Sequence, residues 1–473
     1  MKKLTILMLL LIPMVCFAEV NKPMGGAPPT STDASKITFK GATTINGSAV
    51  KENESFTSAT SGENAILVTG GKNELNNCTF SKTGESDGED ADFYGTNAAI
   101  LVNAGTLNIN GGQISTEGAH ANAVFAYSKG IINITGATIN TTSNNSGGVM
   151  VTGGGTLTAN KCTVKTKGNS SAAIRSDRGG GTLTVNEGTY ETSGMGSPAV
   201  YSTANILINN AELTSTSSEG LVVEGKNKII INNTTVTDTN TTLNGNSETY
   251  KNVFLYQSMS GDAEAGESVF TAKKSTLITN KGDTIFVTNT TANISLENNT
   301  IKNNDGDFLR IQKGKWGTEG SNGGTVSLNM TNQKVKGSII VDSISSLNMN
   351  LDEGSVIVGA IDKDNQAKEI NVTLSNDSII SLTGNTYLDK LDNALEDNSN
   401  IYSNGKYKLY VNGKEVNINK GSYTLKEDGT IESSEEKTNE KNSNKTLYMY
   451  ACIAAILLTA SILLLVLKKR VIK

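Results

Sequence analysis

In the stretch SAAIRSDRGGGT (171–182), Arg175 and Arg178 flank Asp177, in a neighbourhood otherwise built of Thr, Asn, Ser, Gly and short apolar pairs. An arginine beside a carboxylate is most commonly an ion pair. The same pair can grip the polar groups of a ligand or, in a lyase acting on uronates, serve proton abstraction. Glu224 is the next carboxylate to which strand alignment assigns the column of Asp177. Two coils apart, the two acids would be roughly 10 Å from each other, just outside the spacing of an inverting pair and too wide for a retaining one. No residue is therefore assigned a catalytic role, and Arg175, Asp177 and Glu224 form an alternative set only. The stretch SDGEDAD (86–92) offers Asp87, Glu89, Asp90 and Asp92 as hard oxygen ligands. Their spacing is not that of an EF-hand loop, so a solvated acidic loop is preferred to a calcium site. His120, the one histidine, has no second His or Cys partner and reads as structural rather than zinc-binding. With 48 glycines, Gly-rich matches carry no phosphate-cradle signal, and no cofactor is expected.

The elements that must position these residues follow from an internal repeat. A nine-residue frame, alternating apolar positions before a fixed Asn and a small residue, recurs as KNELNNCTF (72–80), TLNINGGQI (106–114), IINITGATI (131–139) and TLTANKCTV (156–164). It continues as TLTVNEGTY (182–190), NILINNAEL (205–213), KIIINNTTV (228–236) and NISLENNTI (293–301). Period-2 alternation, a bend, then alternation again means strand, tight bend, strand. A further short apolar run precedes most frames, including AILV (99–102), AIRS (173–176) and GLVV (220–223). Three strands per coil of about 25 residues predict an all-β chain, a right-handed parallel β-helix of about a dozen coils. Insertions are placed at 81–96 and 240–268, caps at 37–60 and 400–425, and irregular spacing beyond 301.

In the first strand of each coil, Ile100, Val124, Val149, Ile174, Val200 and Leu221 share the inward column. The next position points outward: Leu101, Phe125, Met150, Arg175, Tyr201, Val222, then Phe254, Phe286 and Arg310. A second outward column holds Tyr127, Asp177, Glu224 and Tyr256. An apolar strip on an outer face marks either a binding surface or a region covered by another segment. Two readings stay open. In one, the insertions fold over Phe125 and Phe254 as a satellite core. In the other, aromatic rings stack on sugars while Arg175, Asp177, Arg178 and Glu224 hold polar groups.

The ends carry addresses. Residues 1–18 have a basic start and an apolar run ending at Ala18, the pattern of a secretory signal. Residues 19–36 read as a leader and 427–446 as a charged stalk. Leu447 to Leu467 is an apolar run about 31 Å long as a helix, enough to span a bilayer. The basic tail 468–473 would hold that end inside, giving an extracellular ectodomain on a plasma-membrane anchor. Without the six basic residues of the two ends, residues 19–467 carry 35 basic and 46 acidic groups, a net of −11. That balance argues against a nucleic-acid partner. Cys78 and Cys162 share a column three coils apart, about 14 Å, beyond the reach of a disulfide.

The stretches DFYGTNAAILV (92–102), SAAIRSDRGGGT (171–182), SPAVYSTANI (197–206), LYQSMSGDA (255–263) and NKGDTIFVTNT (280–290) resemble bacterial cell-surface proteins with a pectin-lyase-like right-handed β-helix. The resemblance implies a surface β-helix of adhesin or carbohydrate-binding type and supplies no activity. The chain departs from the pectin-degrading members: it has no Asp-Asp doublet, and its histidine stands in Ala-His-Ala. The leading expectation is a non-enzymatic binding module or adhesin for polysaccharide or surface glycan. Binding would use Phe125, Tyr127, Arg175, Asp177, Arg178, Tyr201, Glu224, Phe254 and Tyr256. A polysaccharide lyase or hydrolase, and a structural coat component packed on surface proteins, are the alternatives.

Overall fold

A computed structural model describes residues 34–243, 248–258, 260–426 and 429–434. These residues wind into a parallel β-solenoid of about 15 turns, with one short helix, Glu89–Tyr94, and a single 3-10 turn, Ala34–Lys36. The count exceeds the dozen coils expected, for two reasons. Residues 37–60 are not a cap: Gly41–Ile45, Val50–Glu52 and Ser55–Ser58 form a full coil in parallel register with the next. Beyond residue 301 the coils also continue despite their uneven spacing, through Leu309–Ile311, Ile339–Val341 and Ile379–Leu382. The far end is closed by an antiparallel pairing of Leu409–Val411 with Lys414–Val416. Ile431–Ser434, within the expected stalk (427–446), forms a strand with Ser422–Leu425, and residues 435–446 lie outside the described residues.

The inward columns are built as the alternation requires. Val124 pairs with Ile100 and Val149, Ile174 with Val149 and Val200, and all are fully buried. In the frames, the residue after the fixed Asn takes a left-handed bend, as at Asn77 (φ 51°), Asn210 (φ 55°) and Asn233 (φ 48°). The asparagines themselves stack outside in a ladder: Asn186 donates to Asn160 at 2.9 Å, Asn209 to Asn186 at 2.9 Å and Asn232 to Asn209 at 3.0 Å. A second ladder runs inside, at the entry to the first sheet. Each serine hydroxyl there accepts a backbone N–H from the preceding coil: Ser146 from Ala121, Ser171 from Ser146 and Ser197 from Ser171, at 2.8–3.0 Å. These hydroxyls satisfy amides that would otherwise be buried without partners. Cys78 and Cys162 are free and buried, while Cys16 and Cys452 lie outside the described residues.

No helix among the described residues is long and apolar enough to cross a membrane. The expected signal (1–18) and anchor (447–467) both fall outside those residues.

One inward polar column turns the corner after the third strand, through Thr192, Ser215, Asp238 and Thr279. Asp238 is fully buried, and its Oδ1 accepts the Asn240 N–H at 2.7 Å. Its Oδ2 is buried with no hydrogen-bond partner among the described residues, and burial pushes the carboxyl up to about 7. An unfolded Asp ionises near 3.8, so between about pH 4 and 7 only the folded chain holds this proton. Stability then falls as pH rises through that window. Asp238→Asn should raise the melting temperature at pH 8 by an amount equivalent to at most a few kcal/mol. It should also flatten the decline between about pH 4 and 7, as read by thermal unfolding at several pH values.

Candidate functional site

The outward column of the first sheet has the register that the alternation implies. Phe125 pairs with Leu101 and Met150, and Met150 with Arg175. Arg175 then pairs with Tyr201, Tyr201 with Val222, Val222 with Phe254 and Phe254 with Phe286. The face is nevertheless not open along its length. The helix Glu89–Tyr94 and the turn after it lie over the coils around Phe125. Phe125 is fully buried in a small separate core with Leu67, Ala98, Leu101 and Met150, flanked by Phe39 and Tyr127. Gly95, at φ 74°, lets the chain pass so close that a Cβ there would stand 2.7 Å from the Phe125 ring. The expectation of an exposed Phe125 is corrected accordingly: in this fold the ring is a covered hydrophobe. Tyr127, half-buried, meets the Tyr94 ring edge-on at 5.6 Å.

The four acids of 86–92 do not converge, and no three His, Cys, Asp or Glu side chains among the described residues come together as a metal site. Asp87 and Glu89 are exposed, whereas Asp92 turns inward to His120 Nδ1 at 2.8 Å. Asn145 Nδ2 lies 3.0 Å from the other ring nitrogen, so the neutral imidazole keeps its proton on Nδ1 and donates it to Asp92. The hydrogen bond to Asp92 raises the imidazole above its usual range. His120 thereby fastens the helix to the solenoid, helped by Thr152 Oγ1, which donates to the Phe93 carbonyl at 2.6 Å.

SAAIRSDRGGGT fastens the rest of the cover. The Arg175 side chain is only 12 % exposed and donates to Asp177 Oδ2 at 3.0 Å and to the Ser170 carbonyl at 3.3 Å. The other Asp177 oxygen accepts the Arg178 N–H at 3.1 Å. Burial pushes the Asp177 carboxyl up to about 7 against the pull of Arg175. Arg178 reaches both insertions at once: its guanidinium lies 3.9 Å above the Phe93 ring, and its Nε donates to Asp262 at 2.9 Å. The stretch expected as one insertion, 240–268, is two loops either side of the regular strand Lys251–Tyr256, and Asp262 belongs to the second.

Under that second loop lies Glu224, 1 % exposed. Tyr201 and Ser258 donate hydroxyl hydrogen bonds to its carboxylate, and Tyr256 does so at 2.9 Å. Burial nonetheless raises its carboxyl above the usual range. Both oxygens of Asp177 and of Glu224 are thus occupied by the protein. A general acid or nucleophile must instead reach its substrate directly or through one water.

What stays open is a groove of about 290 Å³ just beyond the clamp. Its lining includes the aromatic residues Tyr201, Phe254, Tyr256 and Trp316, together with Met195 (41 % exposed) and Pro198. Phe254 and Tyr256, two residues apart on one strand and so on one face, stack at 4.5 Å, and Trp316 stands 6.2 Å from Tyr256. Lys251 Nζ sits 4.5 Å from the Phe254 ring and pairs with Glu219 at 3.2 Å. Trp316 comes from a loop between Ile311 and Gly324 that the repeat pattern does not reveal, because spacing beyond 301 is uneven. The buried Asn322 holds that loop by donating to the carbonyls of Gly314 and Trp316 at 2.9 and 3.0 Å. The only hint in the sequence is that the chain's one tryptophan stands in the glycine-rich run KGKWG.

Arg178→Ala removes a side chain that touches both loops. It should speed proteolytic nicking within 84–96 and 257–266 several-fold, while leaving the main melting transition nearly unchanged, because local opening is separate from global unfolding. Limited proteolysis with mapping of the cut sites checks this, and uncut loops in the variant would disprove the clamp.

Compared with known proteins, the chain matches no family model, no curated protein and no solved structure.

Proposed function

We propose that this protein is a non-enzymatic carbohydrate-binding module displayed outside the cell on a C-terminal membrane anchor. The observation that carries the reading is the aromatic wall of Tyr201, Phe254, Tyr256 and Trp316 beside an open groove. Flat rings presented to a concave surface suit the C–H faces of a sugar ring, and the Asn169 and Ser170 side chains at the rim can meet its hydroxyls. Among the described residues no Arg or Lys lines the groove, and the one carboxylate there, Glu219, is held by Lys251. The chemistry therefore favours a neutral sugar over a uronate at this position. Arg175, Asp177, Arg178 and Glu224 act in this reading as the frame that holds Tyr201 and Tyr256 in place. Their enclosure is also why binding is preferred to hydrolysis or elimination.

The test uses the full-length protein in a non-ionic detergent with immobilised neutral polysaccharides, following retention and new chain ends together. Retention without new ends is expected. Trp316→Ala should weaken retention by about tenfold, near 1.4 kcal/mol. New chain ends abolished by Asp177→Asn or Glu224→Gln would replace this reading with an enzymatic one.

A further inference from the structure

The aromatic groove suits a second kind of occupant, and the chain itself carries it. Three of its five prolines stand at 23, 28 and 29, in the leader that precedes the described residues. From Pro23 to Thr32 the leader reads PMGGAPPTST, without a charged residue. The groove matches that character. Among the described residues its lining combines Tyr201, Phe254, Tyr256 and Trp316 with Met195 and Pro198, and its carboxylate, Glu219, is paired with Lys251. Proline-rich segments adopt the extended polyproline conformation without a partner, so ordering them costs little, and they dock in aromatic-lined grooves. Proline has no N–H, so such a segment asks a groove for donors to its carbonyls, and an indole N–H such as that of Trp316 is a donor only.

The entry of the chain into the solenoid directs the leader toward this groove. Gly41 opens the first coil, in register with Asn64. The ring of Phe39, two residues earlier, lies 5.7 Å from that of Tyr127. Tyr127 shares a strand with Phe125, three coils further on, since Thr44 pairs with Leu67, Leu67 with Leu101 and Leu101 with Phe125. The segment before Gly41 therefore lies over the outer face of the first sheet, on the side of the later coils. From Phe125 the groove is three coils away at Tyr201 and five at Phe254, roughly 14 to 24 Å by strand spacing. Pro29 stands ten residues before Phe39. With the 3-10 turn Ala34–Lys36 at about 2 Å per residue and the rest extended, that length reaches roughly 28 Å. It spans the gap, and so short a tether holds the segment at a local concentration on the order of millimolar. A weak contact is then enough to keep it docked.

We propose that residues 23–29 dock in the aromatic groove of their own chain and close it to other ligands until they are displaced. Docking stands on the groove and the tether alone; only displacement by a sugar rests on the function proposed above.

The chain's one tryptophan is Trp316, so quenching of its fluorescence by acrylamide reads the groove directly. The full-length protein in non-ionic detergent would be compared with a variant carrying Pro23→Ser, Pro28→Ser and Pro29→Ser. These changes precede the solenoid and should leave its melting temperature unchanged. The quenching constant should rise about twofold in the variant, as the docked population empties. A free peptide of residues 19–33, added in excess, should restore the protection. Equal quenching in the two proteins would overturn the assignment. So would protection that disappears when the full-length protein is diluted, because the leader would then sit in another copy. Retention on neutral polysaccharide, measured in parallel, should be several-fold stronger for the variant, because the competitor is gone. Shielding of Trp316 with no retention by either protein would uphold docking and reject only the sugar reading. Retention by both with equal quenching would do the reverse.

Discussion

The constraint on which the rest depends is the parallel coil-to-coil hydrogen bonding of the backbone. Once Val124 lies between Ile100 and Val149, the pleat decides the face of every neighbour in the strand. A slip by one residue would exchange Phe125, Arg175 and Tyr201 with the core column. The buried serine ladder and the exposed asparagine ladder both reinforce that register, because each has its hydrogen-bond partner at the same position one coil away. Without disulfides among the described residues, stability rests on these repeats and on the apolar columns between them.

The insertions convert a uniform face into a patterned one. The helix Glu89–Tyr94 covers one end of the outward column, and the loop carrying Ser258 and Asp262 covers the middle. The charged cluster of Arg175, Asp177 and Glu224 lies beneath these covers. A buried ion pair such as Arg175 with Asp177 contributes little net stability, since desolvation offsets attraction, but removing one partner strands the other. The cluster therefore specifies where the loops sit more than it strengthens the solenoid. That placement leaves Trp316, Phe254 and Tyr256 uncovered beside Tyr201. It also answers the question posed by SAAIRSDRGGGT: two arginines and an aspartate there hold down segments distant in sequence. Arg178 reaches Asp262 across 84 residues.

Much of the solenoid was legible in the sequence. The nine-residue frame located the strands and bends, and the outward column from Leu101 to Arg310 pairs in the structure as the alternation required. Two kinds of feature were misread. Residues 37–60 are expected as a cap because an open solenoid end is a bare sheet edge, yet they pair as a full coil. The spacing after 301 is uneven in the sequence, and the Trp316 loop lengthens one of those coils. Periodicity is sensitive to inserted residues, whereas parallel pairing tolerates them at the corners.

The sequence by itself determined the repeat, the inward and outward sorting of side chains, and the identity of the charged cluster, because those depend on contacts between positions a fixed distance apart. Only the tertiary structure decided which outward residues meet solvent. Phe125 and Phe254 occupy the same column, yet one lies under a helix and the other walls a groove. The difference comes from where Arg178, His120 and Asn322 anchor three loops, through hydrogen bonds and ring contacts that have no period to read.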